Sequence, residues 1–427
     1  MHNIIKYIRK ILFKSPLWLC FCAGKAAGFL LYASRKKRFI AFKNLKLVFP
    51  DKSPGELKFI TRRSFEYFGL SLIETLIADR ICRDNRVQMK GNFPEKGSIL
   101  IGIHAGSWEL INIFFARKQD FSVLVKRQRS EKLDNKLNEL RTDNGLHICF
   151  TLKEAIQKLR KGISVGMVVD QGAEKNALMV DFFSHPVPTP KGAVYLAKKN
   201  NRKLYPCFGH RRGFFKHTLE IGDPVDLNNT DTEETLRNIN AIYENYIRRY
   251  PWEYFWWYKR FKHRSDRNVL ILSDEKLGHL KQARSLFMFL SKNSKYSLKK
   301  KEVVVRYKNS ACRLLADLCA SFSGKHCLGC GRCMNTVLDS STSCELRSIY
   351  ADLVISSGSF SAPANKLFSS YVGAKSVTIL RPNFGLNRFT YALIPYHDRL
   401  QGKNIVNFTG SLFYPQDVDK KVRACEE

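Results

Sequence analysis

The chain has 427 residues, enough for two or three domains, and its 44% hydrophobic and 12% aromatic content excludes wholesale disorder. Lysine and arginine number 72 against 38 acidic residues; the net charge of +34 points to anionic partners, whether nucleic acid, anionic membrane, phosphorylated substrate or acidic carrier protein. Twelve irregularly spaced cysteines argue against a disulfide framework and predict reduced thiols in the cytosol.

The first element is "SPLWLCFCAGKAAGFLLY" (15–32), apolar apart from Lys25 and flanked by "KYIRK" (6–10) and "RKKR" (35–38). Basic flanks on both sides and no small-residue cleavage site argue against a secretory signal. About 18 apolar residues is the lower limit for a span. Lys25 in the middle therefore predicts an interfacial or shallowly inserted helix on an anionic membrane surface. With no nucleic-acid-binding motif beside the charge, nucleic acid is excluded as the partner.

Residues 40–80 carry helical periodicity, with a turn at "FPDKSPGE" (49–56) whose Ser53-Pro54 opens a helix. From 98 the pattern alternates. Strands are predicted at 98–103, 121–125, 146–150, 163–169, 204–208 and 217–221, and helices near 107–117, 130–142, 151–160 and 190–200. That alternation reads as an α/β sheet with flanking helices. A helix at 231–249 ends before Pro251, and "WEYFWWYKRFKHR" (252–264) closes the unit. A smaller α/β unit begins near 265 with "NVLILSDEKLGHLKQARSLFMFL" (268–290). It continues through a Lys-rich segment (292–302), a cysteine-rich turn (326–344), "ADLVISSGS" (351–359) and "KSVTILRP" (375–382).

The chemistry concentrates in "ILIGIHAGSWELINIFFA" (99–116). His104 follows a buried-strand run, so its imidazole stands at the carboxyl edge of a strand, where open α/β sheets place ligands. Ala105 and Gly106 leave room for another molecule. Glu109, in the first helical turn, is positioned to hold one ring nitrogen so that the other acts as a base. Spacing alone is better served by a satisfied strand-end His beside a surface Glu. Ser107 as a nucleophile is set aside, because "HAGSW" is not G-x-S-x-G.

"IGIHAGSWE" resembles the H-x4-[DE] motif of the late lipid A acyltransferases, with Ser107 where that family usually has Asn. "NLKLVFPDKSPGE" (44–56) is similar to the family's N-L-x-x-x-F-P segment. "LVKRQRSEKLDNKLNELRTDNG" (124–145) resembles its R-x5-L-D-x6-R-x3-G stretch and places Arg127 and Arg141 on the family arginines. "VVDQGAEKNALMVDFFSHPVPTPKGAVYLAKKNN" (168–201) carries its D-Q, here Asp170 and Gln171. "YPWEYFWWYKRFK" (250–262) resembles its closing block, with Trp256 or Trp257 and Arg260. The likeness covers roughly residues 1–264.

It implies a bacterial inner-membrane enzyme with its catalytic domain on the cytoplasmic face. That enzyme would move a fatty acyl chain from an acyl thioester, of acyl carrier protein or coenzyme A, to a hydroxyl of a lipid A precursor. His104 would be the base, oriented by Glu109; Arg127, Arg141, Asp170, Gln171 and Arg260 would bind substrate; no cofactor is implied. An acyltransferase for another glycolipid or lysophospholipid, and a non-catalytic membrane-bound assembly factor, remain the alternatives.

"ILSDEKLGHLKQA" (271–283), "ADLVISSGSFSAPANKL" (351–367), "ILRP" (379–382) and "IPYHD" (394–398) resemble the first lobe of the mitochondrial-fission ELM-like family, which implies a truncated GT-B-like, Rossmann-like lobe with a binding or scaffold role. The expected layout is a membrane-associated segment at 1–38, a catalytic domain at 39–264 and this lobe at 265–427. "HCLGCGRC" (326–333) offers Cys327, Cys330 and Cys333, with Cys344 as a distant fourth; the spacing fits neither a ferredoxin run nor paired zinc knuckles, so structural thiols are expected ahead of a metal.

Overall fold

The computed structural model describes residues 2–127, 130–171, 177–228, 230–324, 327 and 329–413. The chain divides into two compact units. The first runs to Asn44 and resumes over Lys58–Arg264; the second takes Leu45–Leu57 and the chain from Ser265.

The first unit opens with α1 (His2–Lys14), α2 (Leu17–Ala33), α3 (Arg35–Val48), α4 (Pro54–Leu76) and α5 (Ala78–Arg83). Small residues let α2 lie directly on α4. A Cβ added to Gly69 of α4 would sit 2.3 Å from the Gly24 carbonyl oxygen and from the Gly28 nitrogen of α2. Lys25, the charge within the apolar run, is answered by Glu66 of α4 at 3.0 Å. Among the described residues no single helix is long and apolar enough to cross a membrane; α2 and α3, bent by 88°, meet the length and composition together.

The sheet follows: β1 (Val87–Lys90), β2 (Ile99–Gly102), α6 (Trp108–Ala116), β3 (Phe121–Leu124), α7 (Glu131–Asp143), β4 (His147–Cys149), α8 (Leu152–Arg160) and β5 (Ser164–Val168). Then come β6 (Leu178–Phe182), β7 (His185–Thr189), α9 (Gly192–Asn200), β8 (Leu204–Gly213), β9 (Lys216–Ile221) and α10 (Thr232–Arg249). Seven strands lie in the order β1-β9-β8-β2-β5-β3-β4. Every pairing is parallel except β8 with β9. The central strands are continuous apolar runs because helices cover both faces of a parallel sheet. Leu100, Val123 and Cys207 meet Leu110, Ile113 and Phe115 of α6 in one core.

The second unit holds β10 (Asp266–Ser273), α11 (Leu277–Asn293), β11 (Ser297–Val304), α12 (Ser310–Phe322), α13 (Cys330–Val337) and α14 (Ser340–Ser348). It continues with β12 (Leu353–Ser357), α15 (Ala362–Val372), β13 (Lys375–Ile379), β14 (Tyr391–Pro395) and β15 (Ile405–Phe408). Its six strands, ordered β11-β10-β12-β13-β14-β15, are all parallel. Both units are therefore mixed α/β.

One expectation changes here. The cysteine-rich turn is helical: Asp339 caps α14 by accepting from the Thr342 amide, and Cys330 opens α13. Cys327, Cys330 and Cys333 are neighbours, with Cys319 of α12 beside Cys333, while Cys344 is exposed on α14. Among the described residues no group of three or more His, Cys, Asp or Glu is arranged to hold a metal ion, and His326 lies outside those residues.

Candidate active site

β2 and β5 are neighbours in register, with Gly102 opposite Val168. Two residues beyond each, His104 and Asp170 emerge side by side at the carboxyl edge. The His104 Nδ1 lies 2.8 Å from Asp170 Oδ1, with the Asp170 side chain 4% exposed and that of His104 21%. Burial works to raise the Asp170 carboxyl, but the charge and hydrogen bond of His104, then the charge of Arg260, hold it below the ordinary carboxylate value. A carboxylate on Nδ1 fixes the ring so that Nε2 is the basic nitrogen. Trp108 meets the imidazole edge-on at 5.1 Å.

The turn after His104 is clamped on every side. Gly106 has φ +61°, and a Cβ there would lie 2.2 Å from the Gly209 carbonyl oxygen, so only glycine fits. Its amide donates to the Glu253 carbonyl and its carbonyl accepts from Ser71 Oγ, while the Phe255 amide donates to the His104 carbonyl. Beneath lies a buried charge cluster that sequence reading missed. The Arg211 guanidinium donates to Glu74 (3.0 and 2.5 Å), to Glu253 (2.6 Å) and to Ser71 (2.6 Å). Burial would raise Glu74, but Arg211 and then His217 bring it down to about 2. Glu253 ends above the ordinary value because burial outweighs its share of the guanidinium. Two carboxylates, a hydroxyl and an arginine spread over three segments, α4, β8 and the closing block, leave no local spacing signal.

Glu109 does not reach His104, which corrects the expected pairing. Its two oxygens accept from Arg141 Nε and Nη2 of α7 at 3.1 and 2.5 Å, and Arg141 Nη1 donates to Asn138. Asp170, expected among the substrate-binding residues, occupies the place foreseen for Glu109. Arg260, expected to bind substrate, is 5% exposed; its Nη1 donates to the Pro188 carbonyl and its Nη2 to Thr189 Oγ1 of β7, beside Asp170. The buried Tyr254 hydroxyl lies near the same carboxylate.

A cavity of about 540 Å³ opens at this edge. His104, Glu109, Arg127, Arg141 and Gln171 line its polar part, with the Arg127 guanidinium 4.3 Å from the Phe150 ring centre. Leu100, Ile111, Phe115, Phe121 and Val123 line the apolar remainder. An imidazole held by a carboxylate, with two arginines at the lip of an apolar cavity, has the geometry of a general base beside an apolar binding space.

The sequence model described as bacterial lipid A biosynthesis acyltransferase matches residues 5–263, and the one described as mitochondrial fission ELM1 matches residues 278–424. A lipid A biosynthesis acyltransferase of Haemophilus influenzae is 27% identical over 270 residues, covering 59% of this chain and 86% of that protein. A lipid A biosynthesis lauroyltransferase of Escherichia coli is 28% identical over 273 residues (59% and 88%). A palmitoleoyltransferase of the same pathway in that organism is 23% identical over 262 residues (58% and 85%). The model match spans more than half of the chain and runs through the His104 turn to the closing aromatic block, so this chain is an acyltransferase that belongs to the bacterial lipid A biosynthesis acyltransferase family.

Proposed function

We propose that the chain transfers a fatty acyl group from acyl carrier protein to a hydroxyl of a lipid A precursor on the cytoplasmic face of the inner membrane, with His104 as general base. The observation that carries this reading is the Asp170–His104 hydrogen bond at the lip of the apolar cavity. The acceptor hydroxyl gives its proton to Nε2 as its oxygen adds to the thioester carbonyl carbon. The imidazolium formed is stabilised by Asp170. The tetrahedral adduct then collapses, the carbon–sulfur bond breaks, and the thiolate takes the proton back from Nε2. No enzyme nucleophile is needed, because the thioester is already activated.

Arg141 is held by Glu109, so the backbone N–H groups that open α6 are the donors best placed for the adduct oxygen. Glu109 is a positioning residue acting through Arg141. Lys126 and Arg127 line the cavity beside an overall charge of +34, which favours the acidic carrier protein over coenzyme A as donor. Exposed Trp18, Leu19, Phe29 and Leu30 on α2, with Tyr7, Ile8 and Ile11 on α1, support attachment of residues 1–38 to the membrane surface. In this reading 39–264 is the catalytic domain, and 265–427 is a Rossmann-like, GT-B-like lobe for binding or scaffolding.

Mass spectrometry of lipid from cells lacking the gene and carrying either the wild type or His104→Ala tests the function. The proposal expects a secondary acyl chain on lipid A with the wild type alone. Rescue by His104→Ala would instead make the protein a non-catalytic assembly factor, and a new acyl chain on another glycolipid or on a lysophospholipid would change the acceptor.

A further inference from the structure

Three glycines share the sheet face beneath α6: Gly102 of β2, Gly166 of β5 and Gly209 of β8. The registers Leu100↔Gly166 and Leu100↔Tyr205 place them on that side. Two make room for a neighbouring side chain. A Cβ on Gly209 would lie 2.7 Å from Ile111 Cδ1, and one on Gly166 would lie 2.8 Å from Phe121 Cζ. Gly102 is different. A Cβ there meets nothing nearer than the Cys207 carbonyl oxygen at 3.7 Å, and its φ is not positive.

A glycine inside a strand forfeits packing and conformational restraint without return, unless something must approach the bare backbone. Neither fold geometry nor a neighbour requires glycine at 102. The open space above it belongs to the cavity, two residues from the base, with Ile111, Phe115 and Val123 around it. From Trp108 to Phe115 the roof along α6 is about 10 Å long at 1.5 Å per residue.

We propose that Gly102 is the residue that sets acyl-chain length: the donor's fatty chain lies in the slot between Gly102 and α6, running from His104 towards Phe115 and Phe121. This rests on His104 being the transferring site, and adds where the chain lies and what limits it. Apart from Asn112 the side chains around the slot are apolar, so it selects hydrocarbon by length, and each carbon that no longer fits costs about 10-fold or more in kcat/KM.

The test uses the full chain in detergent with a mixed ladder of acyl-carrier-protein thioesters graded by two carbons. Gly102→Ala and Gly102→Leu are compared with the wild type by mass spectrometry of the product. The donor optimum moves to shorter chains, further for Leu than for Ala, while tryptophan-monitored stability is unchanged or raised. A second readout needs no turnover: long-chain fatty acid raises the Tm of the wild type and of His104→Ala, but not of Gly102→Leu. An unchanged donor ranking in a folded Gly102→Leu, or undiminished fatty-acid stabilisation, overturns the proposal. Full transfer by His104→Ala would instead sink the base assignment, so the two failures are distinct.

Discussion

Replacing Arg211 with Met strips the guanidinium bonded to both Glu74 and Glu253, and its consequence reads out as a changed pH dependence. In the wild type Glu74 falls from 4.5 to about 2, a shift equivalent to about 3 kcal/mol in favour of the folded unit at neutral pH. That contribution is present above pH 4.5 and is lost as pH drops towards 2. With Arg211 gone, two buried carboxylates face each other and His217, and removing one partner of such a cluster costs about 3–5 kcal/mol. Burial alone then drives Glu74 above 4.5. A carboxyl raised in the folded state destabilises as pH climbs through its folded value, so the variant, with both Glu74 and Glu253 raised, gains more stability between pH 7 and 5 than the wild type, in which Glu253 is raised but Glu74 is depressed. All five tryptophans lie between Trp18 and Trp257, inside the first unit. Denaturant unfolding followed by tryptophan fluorescence therefore reports this unit alone. Parallel pH curves for variant and wild type, or a loss below about 1 kcal/mol, which is far under the buried-pair cost, would refute the reasoning.

Three further outcomes follow from close contacts. Gly69→Ala drives a Cβ into the α2 backbone; it is expected to cost about 1–3 kcal/mol and to speed proteolytic release of α1 and α2, and a neutral result would show that the helices do not touch there. Gly358→Ala places a Cβ 2.5 Å from the His279 ring at φ +82°. It should break the 2.8 Å His279–Asp274 hydrogen bond and lower the Tm of the second unit, followed by calorimetry because that unit has no tryptophan. Arg260→Lys leaves Pro188 and Thr189 short of donors and is expected to cost about 2–4 kcal/mol, measured by tryptophan fluorescence; a change in KM without loss of stability would restore Arg260 as a substrate ligand.

The strands that build the site were legible because helices cover both faces of the parallel sheet, leaving uninterrupted apolar runs such as "SILIGI" (98–103) and "ISVGMVV" (163–169). β7 was not. Pro186 and Pro188 argue against a strand, yet this two-stranded hairpin needs no partner on its outer side. β11 hid behind Lys299, Lys300 and Lys301, the charged pattern of a sheet edge. His104 stood out by its motif, and Asp170 was expected on the same edge. Which carboxylate takes the imidazole depends on strand order. Only adjacency of β2 and β5 brings residues 66 apart within 2.8 Å, whereas Glu109, five residues away in sequence, turns to α7 and Arg141. The Arg211 cluster needs three distant segments at once, which no spacing rule encodes.

The central claim is that Asp170 stabilises the charge His104 acquires. Two opposite charges about 4 Å apart in surroundings of effective dielectric near 20 attract by about 4 kcal/mol, close to 10³ in rate. Single-turnover acyl transfer by purified Asp170→Asn, which keeps the hydrogen bond and loses the charge, measures that quantity directly. A rate reduced about 10³-fold with the donor still bound is the result predicted here; a rate within a factor of ten of the wild type would contradict it.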